Sequence, residues 1–85
     1  MSDEVTILDA TGLRCPLPVL RARKTLKWLP GGALMEVLAT DTAAPRDFEA
    51  FCRESGHTII NIEQEGDVFK IRLSKKVAYV EMSDS

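Results

Sequence analysis

The chain has 85 residues, of which 45% are hydrophobic and 28% charged, and its formal net charge is −2. These values are typical of one small soluble domain, here residues 1–85, and a net negative charge excludes a general attraction to nucleic acid or to an anionic membrane. No run approaches the roughly 18 apolar residues that a membrane span needs.

The first half of the chain predicts a strand–helix–strand unit. Val5 to Asp9 is short and apolar, as in a strand, and turn residues follow it. From Pro16 to Leu29, apolar residues recur at steps of three, four and three, which marks one helical face. That face consists of Val19, Ala22, Leu26 and Leu29. Pro30-Gly31-Gly32 then ends the helix, and Ala33 to Thr40 reads as an interior strand.

The second half predicts a helix and a hairpin. Asp41 or Thr42 caps the helix, which runs to about Ser55 with Gly56 just beyond it. Its apolar stripe consists of Ala44, Phe48, Phe51 and Cys52. The hairpin is predicted from Ile60 and Ile62 on one strand, a turn at residues 65–67, and Phe69, Ile71 and Leu73 on the next. Residues 75–85 either extend the last strand, through Val77, Tyr79 and Val80, or form a loose tail.

The element order is therefore βαβαββ. A right-handed crossover makes the first two strands parallel, whereas the closing hairpin is antiparallel. Each helix has a single apolar face, so both can cover the same side of the sheet. The predicted fold is an α/β two-layer sandwich, with a four-stranded mixed sheet and two helices on one face.

Cys15 lies directly before the first predicted helix. Pro16 fits the first helical position, where a missing N–H costs nothing, so Cys15 is the predicted N-cap. The helix dipole and unpaired backbone N–H groups favour the thiolate, which is the reactive form of cysteine. Pro16 and Pro18 remove two donors, so the predicted activation is moderate. Arg14 either stabilises the sulfur anion or is a solvated charge, and the plain alternative for Cys15 is a small hydrophobic residue.

The run Leu8-Asp9-Ala10-Thr11-Gly12-Leu13-Arg14-Cys15-Pro16-Leu17-Pro18, with Arg23-Lys24 downstream, resembles the TusA/SirA-like family of small sulfur carriers. The mark of that family is a Cys-Pro-x-Pro motif that opens the first helix. The likeness extends to the element order, to the Pro-Gly turn before the second strand, and to Arg46-Asp47 with Phe51-Cys52.

The resemblance implies an activity for Cys15. It would accept sulfane sulfur as a persulfide from a donor such as a cysteine desulfurase or rhodanese, and relay it to an acceptor protein. The family serves tRNA thiolation, molybdenum-cofactor synthesis and sulfur oxidation, and the motif does not choose among them. Arg14, Pro16 and Pro18 support the motif, and Asp9 and Gly12 are expected to shape its loop. Whether such a carrier counts as an enzyme is left open by the sequence.

Cysteine and histidine usage predicts no bound metal or other cofactor. There are two cysteines, one histidine, no CxxC pair, and neither a GxGxxG nor a phosphate-loop motif. Two cysteines do not make a disulfide framework, and the acidic start at Met1-Ser2-Asp3-Glu4 is unlike a basic signal peptide, so a cytoplasmic location is expected. Cys52 lies on the apolar stripe of its helix and is predicted to be a core residue.

The outer face of the first helix is a candidate docking surface for donor and acceptor proteins. Leu13 to Trp28 contains five basic residues and no acidic one. The residues proposed to dock are Leu17, Leu20, Arg23, Lys24 and Lys27. The alternative is an ordinary solvated face, and one basic helix is thin support for direct nucleic-acid binding.

Two other functional classes compete with the sulfur carrier. In the first, Cys15 is a thiol redox sensor or enzyme, resolved by Cys52, which the predicted burial of Cys52 argues against. In the second, the chain is a non-catalytic regulatory or nucleic-acid-binding module, for which the basic helix is the only support.

Overall fold

A computed structural model describes residues 4–77 and confirms the predicted two-layer α/β sandwich. Its elements, in chain order, are β1 (Val5–Ala10), α1 (Leu17–Leu26), β2 (Leu34–Ala39), α2 (Ala44–Ser55), β3 (Thr58–Glu65) and β4 (Val68–Ser74). The strands lie in the order β1-β2-β4-β3, with β1 parallel to β2 and the other pairs antiparallel. The parallel pair brings the ends of β1 and β2 to the same edge of the sheet.

The core lies between the helices and one face of the sheet. Met35 and Val37 of β2 pair with Leu73 and Ile71 of β4, and all four are fully buried. Phe48 of α2 packs onto them and is also 0% exposed. The apolar stripes predicted from helical and strand periodicity therefore meet as expected. The other buried residues on the helices are Pro18, Ala22 and Leu26 of α1 and Ala44, Phe51 and Cys52 of α2.

The hairpin departs from the prediction at one residue. The register between β3 and β4 shifts between Ile59 and Asn61, so a bulge interrupts the alternation of side chains. Ile59 and Ile62 consequently pack against the core, whereas Ile60 is 49% exposed. The prediction that Ile60 and Ile62 share a buried face is wrong for Ile60.

Most element ends are close to those predicted, but α1 ends at Leu26, three residues before the predicted end at Leu29. The structure places Pro16 rather than Cys15 at the N-cap of α1, and Ala43 rather than Asp41 or Thr42 at that of α2. Gly56 ends α2 with a φ of 89°, in the left-handed region that glycine tolerates. β4 ends at Ser74 and Val77 lies outside it, while Tyr79 and Val80 fall outside the described residues. Within residues 4–77, no helix is long and apolar enough to cross a lipid bilayer.

Candidate functional site

Cys15 lies at the edge of the sheet where the parallel strands β1 and β2 end. Two hydrogen bonds join the loop after β1 to the loop after β2. The Gly12 N–H donates to Thr40 Oγ1 at 2.9 Å, and the Cys15 N–H donates to Asp41 Oδ2 at 2.6 Å. The carboxyl ends of strands are the usual binding edge of open α/β sheets. The backbone of an exposed cysteine is thus fixed at this edge.

The loop that leads to Cys15 is shaped by Asp9 and Gly12. Asp9 Oδ1 accepts hydrogen bonds from the Thr11 N–H at 3.0 Å and from the Thr11 hydroxyl at 2.7 Å, and these bonds lower the pKa of the Asp9 carboxyl. Gly12 has a φ of 81°, which a residue with a side chain adopts only with strain. Both residues set the path of the chain that leads to Cys15.

The start of α1 offers the sulfur few backbone donors. Pro16 and Pro18 have no N–H, and the Leu17 N–H donates to the Arg14 carbonyl at 2.8 Å. Cys15 precedes the N-cap, and the Cys15–Pro16 peptide bond is cis. The prediction that Cys15 caps the helix is wrong because Pro16 occupies that position.

The thiol of Cys15 is less acidic than a free cysteine. The largest influence is a hydrogen bond to the Asp47 carboxylate, which raises the pKa of the thiol; some loss of hydration and the negative charges of Asp47 and Asp41 raise it further. The positive charge of Arg46 acts in the opposite direction. The pKa of the Asp41 carboxyl is lowered mainly by hydrogen bonds from the Ala43 and Cys15 N–H groups, and to a smaller extent by the charge of Arg14, which the sequence suggests as a stabiliser of the sulfur anion. The prediction of an activated thiol is therefore wrong for the free protein.

This shift leads to a measurable result. Because a raised pKa leaves less thiolate at any given pH, we expect the rate of Cys15 alkylation by iodoacetamide to rise only above the ordinary thiol value of about 8.5. The measurement is the alkylation rate of the native protein between about pH 6 and pH 10, with free cysteine as the reference. These limits lie on either side of the pKa of an ordinary cysteine thiol. An inflection below that of free cysteine contradicts the assigned role of Asp47.

Comparison with known proteins places this geometry in a family. The family model described as "Sulfurtransferase TusA" matches residues 6–75. A protein of Neisseria meningitidis is 49% identical over 69 residues, which cover 81% of this chain and 93% of that protein. The sulfur carrier protein TusA of Allochromatium vinosum is 41% identical over 75 residues, covering 88% of this chain and 99% of its own. The chain belongs to the TusA family.

A solved structure agrees on the fold. The SirA-like protein of Desulfitobacterium hafniense superimposes with a TM-score of 0.72 and 22% identity, covering 86% of this chain and 99% of that one. The TusA-family motif Cys-Pro-x-Pro is formed here by Cys15, Pro16, Leu17 and Pro18. Pro18 is buried under the first turn of α1, whereas Cys15 and Leu17 face solvent.

The second cysteine is separated from this surface. Cys52 is 3% exposed, and burial raises the pKa of its thiol to about 11. This confirms the prediction that Cys52 is a core residue. A buried, protonated thiol does not serve as a resolving partner for Cys15, which weakens the redox-sensor alternative.

The predicted docking residues lie on two sides of α1. Leu17 and Leu20 are 46% and 48% exposed, Lys24 is exposed on the same helix, and Lys27 is exposed at its C-cap. Arg23 instead lies over the ring of Phe51, with its Cζ 5.5 Å from the ring centre. There it lines a shallow groove between α1 and α2 that begins at Cys15 and also contains Asp47 and Glu54.

The sequence does not assign Asp41 and Asp47 to the site, yet these carboxylates contact Cys15. Asp41 was expected to cap α2, which its Oδ1 does in part by accepting from the Ala43 N–H at 3.0 Å, while Oδ2 holds Cys15. Asp47 appears in the sequence only as part of the family resemblance. The available signal is its position in the first turn of a helix that starts beside the β1–α1 loop.

Proposed function

We propose that Cys15 is the residue on which this sulfur carrier holds sulfur, as a persulfide received from a donor protein and relayed to an acceptor. The observation that carries the proposal is the contrast between the two thiols. Cys15 is exposed on a loop anchored at the sheet edge, whereas Cys52 is buried. Only Cys15 is in a position to meet a cysteine of another protein.

The chemistry is a transfer of one sulfur atom without net oxidation. The Cys15 sulfur attacks the outer sulfur of a donor persulfide, the donor S–S bond breaks, and its electron pair returns to the donor cysteine. Cys15 becomes a persulfide, and the same exchange in reverse delivers the sulfur to an acceptor. A buried second thiol suits this role because it does not attack the persulfide and release the sulfur within the carrier.

The mass of the intact protein tests the proposal. After incubation with a sulfane-sulfur donor, the protein should gain one sulfur atom, the gain should disappear on reduction, and peptide mapping should place it on Cys15. A gain of oxygen in place of sulfur favours the thiol redox sensor instead.

The proposed partners are proteins that handle sulfane sulfur. A cysteine desulfurase or a rhodanese is the donor class, and the acceptor belongs to tRNA thiolation, molybdenum-cofactor synthesis or sulfur oxidation. We further propose a cytoplasmic location, since a reducing compartment keeps Cys15 from being consumed by disulfide formation.

We propose the exposed face of α1 as the docking surface for these partners. Leu17 and Leu20 supply apolar area, while Lys24 and Lys27 supply charge about two and a half to three and a half helical turns from Cys15. A carrier must dock and leave quickly, which suits an interface of modest area with electrostatic steering. Arg23, on the groove side of the same helix, would contact a partner that also reaches Phe51.

Reversal of two charges tests this surface. Lys24→Glu with Lys27→Glu should slow sulfur exchange with a protein donor, chiefly through the association rate, because steering charges act on encounter. Stopped-flow exchange rates at about 50 and 300 mM salt check this. Over that range the Debye screening length falls below about 10 Å, so added salt should slow the wild type toward the rate of the variant. Lys70→Glu, on β4 and away from α1, is a control for reversal of a single charge elsewhere on the surface. Exchange at the wild-type rate in low salt means that docking lies elsewhere.

A further inference from the structure

We infer that Asp47, beside Cys15 in the groove between α1 and α2, is a positioning residue with which a cationic side chain of the docking partner pairs, and that this pairing frees the Cys15 sulfur for exchange. The inference rests on the proposal that Cys15 carries the sulfur. It makes thiol reactivity a consequence of docking rather than a fixed property of the loop.

The geometry joins the two residues across the start of both helices. Asp47 lies in the first turn of α2, and its N–H donates to the Ala43 carbonyl at 2.9 Å. Its carboxylate raises the pKa of the Cys15 thiol, chiefly through hydrogen bonding. Both side chains line the groove between α1 and α2, and Asp47 is half-buried there. A partner that reaches the sulfur therefore also reaches this carboxylate.

Asp41, the other carboxylate beside Cys15, is not suited to the same role. One of its oxygens accepts from the Cys15 N–H and the other from the Ala43 N–H. Both bonds hold the backbone of the loops beside the site. A partner that paired with Asp41 would break these bonds and deform the loops. Asp47 has no such structural task, because its side chain interacts with the Cys15 thiol rather than with backbone N–H groups.

The charged groups around Asp47 leave its carboxylate available to pair with a cation of a partner protein. The ion pairs within residues 4–77 are Lys70–Glu65 and Arg72–Glu36, so Asp47 takes part in none there. Of the cations near the groove, Arg23 is placed over Phe51 and Arg14 acts on Asp41. Arg46 acts on Cys15 through its charge, and Glu54 adds a second negative charge to the groove.

An arriving cation has the stronger interaction with Asp47. A hydrogen bond from a neutral thiol is weak, whereas a lysine or arginine paired with a carboxylate forms a charge-assisted bond about twice as strong as a neutral one. Docking also removes water from the groove, which strengthens the pair. Once Asp47 is paired, its charge no longer opposes ionisation of Cys15.

The exchange then proceeds with every atom accounted for. The Cys15 thiol releases its proton to solvent as the partner cation takes its place at Asp47. The thiolate attacks the outer sulfur of the donor persulfide, the donor S–S bond breaks, and the donor cysteine leaves with the electron pair and takes up a proton. Cys15 ends as a persulfide, and neither protein is oxidised or reduced overall.

Asp47→Asn tests the inference with two kinds of donor. Asparagine keeps the size of the side chain and removes the charge, and Glu54→Gln is the matched control because it removes a charge from the same groove. We expect Asp47→Asn to be alkylated at least about threefold faster than wild type at pH 7, as each unit of pKa changes the thiolate fraction about tenfold below the pKa. Glu54→Gln should stay within about 1.5-fold of wild type, since a charge that does not contact the thiol acts through screened solvent.

The decisive result is a crossover between donors. With glutathione persulfide, which brings no docking cation, Asp47→Asn should load faster than wild type. With a persulfide-loaded protein donor that loads the wild type, it should load more slowly, and Asp47→Glu should restore part of the rate. If Asp47→Asn loads sulfur faster than wild type with both donors, or more slowly with both, the inference is overturned. Failure of wild-type Cys15 to take sulfur from any donor overturns the proposed function, whereas the alkylation readout is independent of sulfur.

Discussion

Replacement of Cys15 by alanine will abolish sulfur loading and leave the fold intact. The side chain is exposed and absent from the core, and the Cys15 N–H that donates to Asp41 at 2.6 Å is retained in the variant. Intact mass after incubation with a sulfane donor measures the loss, and the circular-dichroism spectrum and the unfolding midpoint check the fold.

Cys52→Ala is the matched control, since it removes the other cysteine. It should load sulfur as the wild type does and lose about 1 kcal/mol of stability, because a small side chain is removed from the core beside Phe48 and Phe51. Sulfur loading by Cys15→Ala, or its loss from a folded Cys52→Ala protein, would contradict the assignment of a single sulfur-carrying residue.

Replacement of Phe48 by alanine will have the largest effect on stability. Phe48 is 0% exposed and lies edge-on to Phe51, with ring centres 6.3 Å apart. Removal of a buried phenyl ring costs about 3–5 kcal/mol through lost burial and a residual cavity. Small domains are stable by about 5–15 kcal/mol, so the variant should unfold near the start of a urea titration.

Ile60→Ala is the control for that experiment. Ile60 is 49% exposed at the bulge of β3, and exposed substitutions change stability by about 0.5 kcal/mol or less. Equal losses of unfolding free energy in the two variants would mean that Phe48 does not contribute more than an exposed residue to the packing of the helices on the sheet. The comparison also tests the register shift, because an Ile60 that faced the core would cost several times more.

The sequence predicts the architecture of this protein better than it predicts the environment of the sulfur. Apolar spacing in Phe48, Phe51 and Cys52 identifies the buried face of α2, because helix geometry ties spacing directly to position. The exposed placement of Cys15 follows from its motif and the helix start. These inferences depend only on residues that are close together in the sequence.

The acidity of Cys15 depends on groups that are distant in sequence. A local interpretation includes the helix N-terminus and Arg14, and both lower the pKa of a thiol. Asp47 lies on α2 and Asp41 in the loop before it. A hydrogen bond to Asp47, and then the charges of both carboxylates, raise the pKa of the thiol instead. The bulge between Ile59 and Asn61 is a similar case, since the pairing with β4 rather than the composition of β3 decides which isoleucine is buried.

The placement of the two thiols determines which disulfide forms when the purified protein is oxidised by air. Cys15 finds no accessible thiol on its own molecule, because Cys52 is enclosed by the core. Oxidation therefore joins two copies through their Cys15 residues, and an internal crosslink does not form without prior unfolding. Samples stored without reductant would lose their working sulfur atom by covalent dimerisation while every element of the fold remains in place.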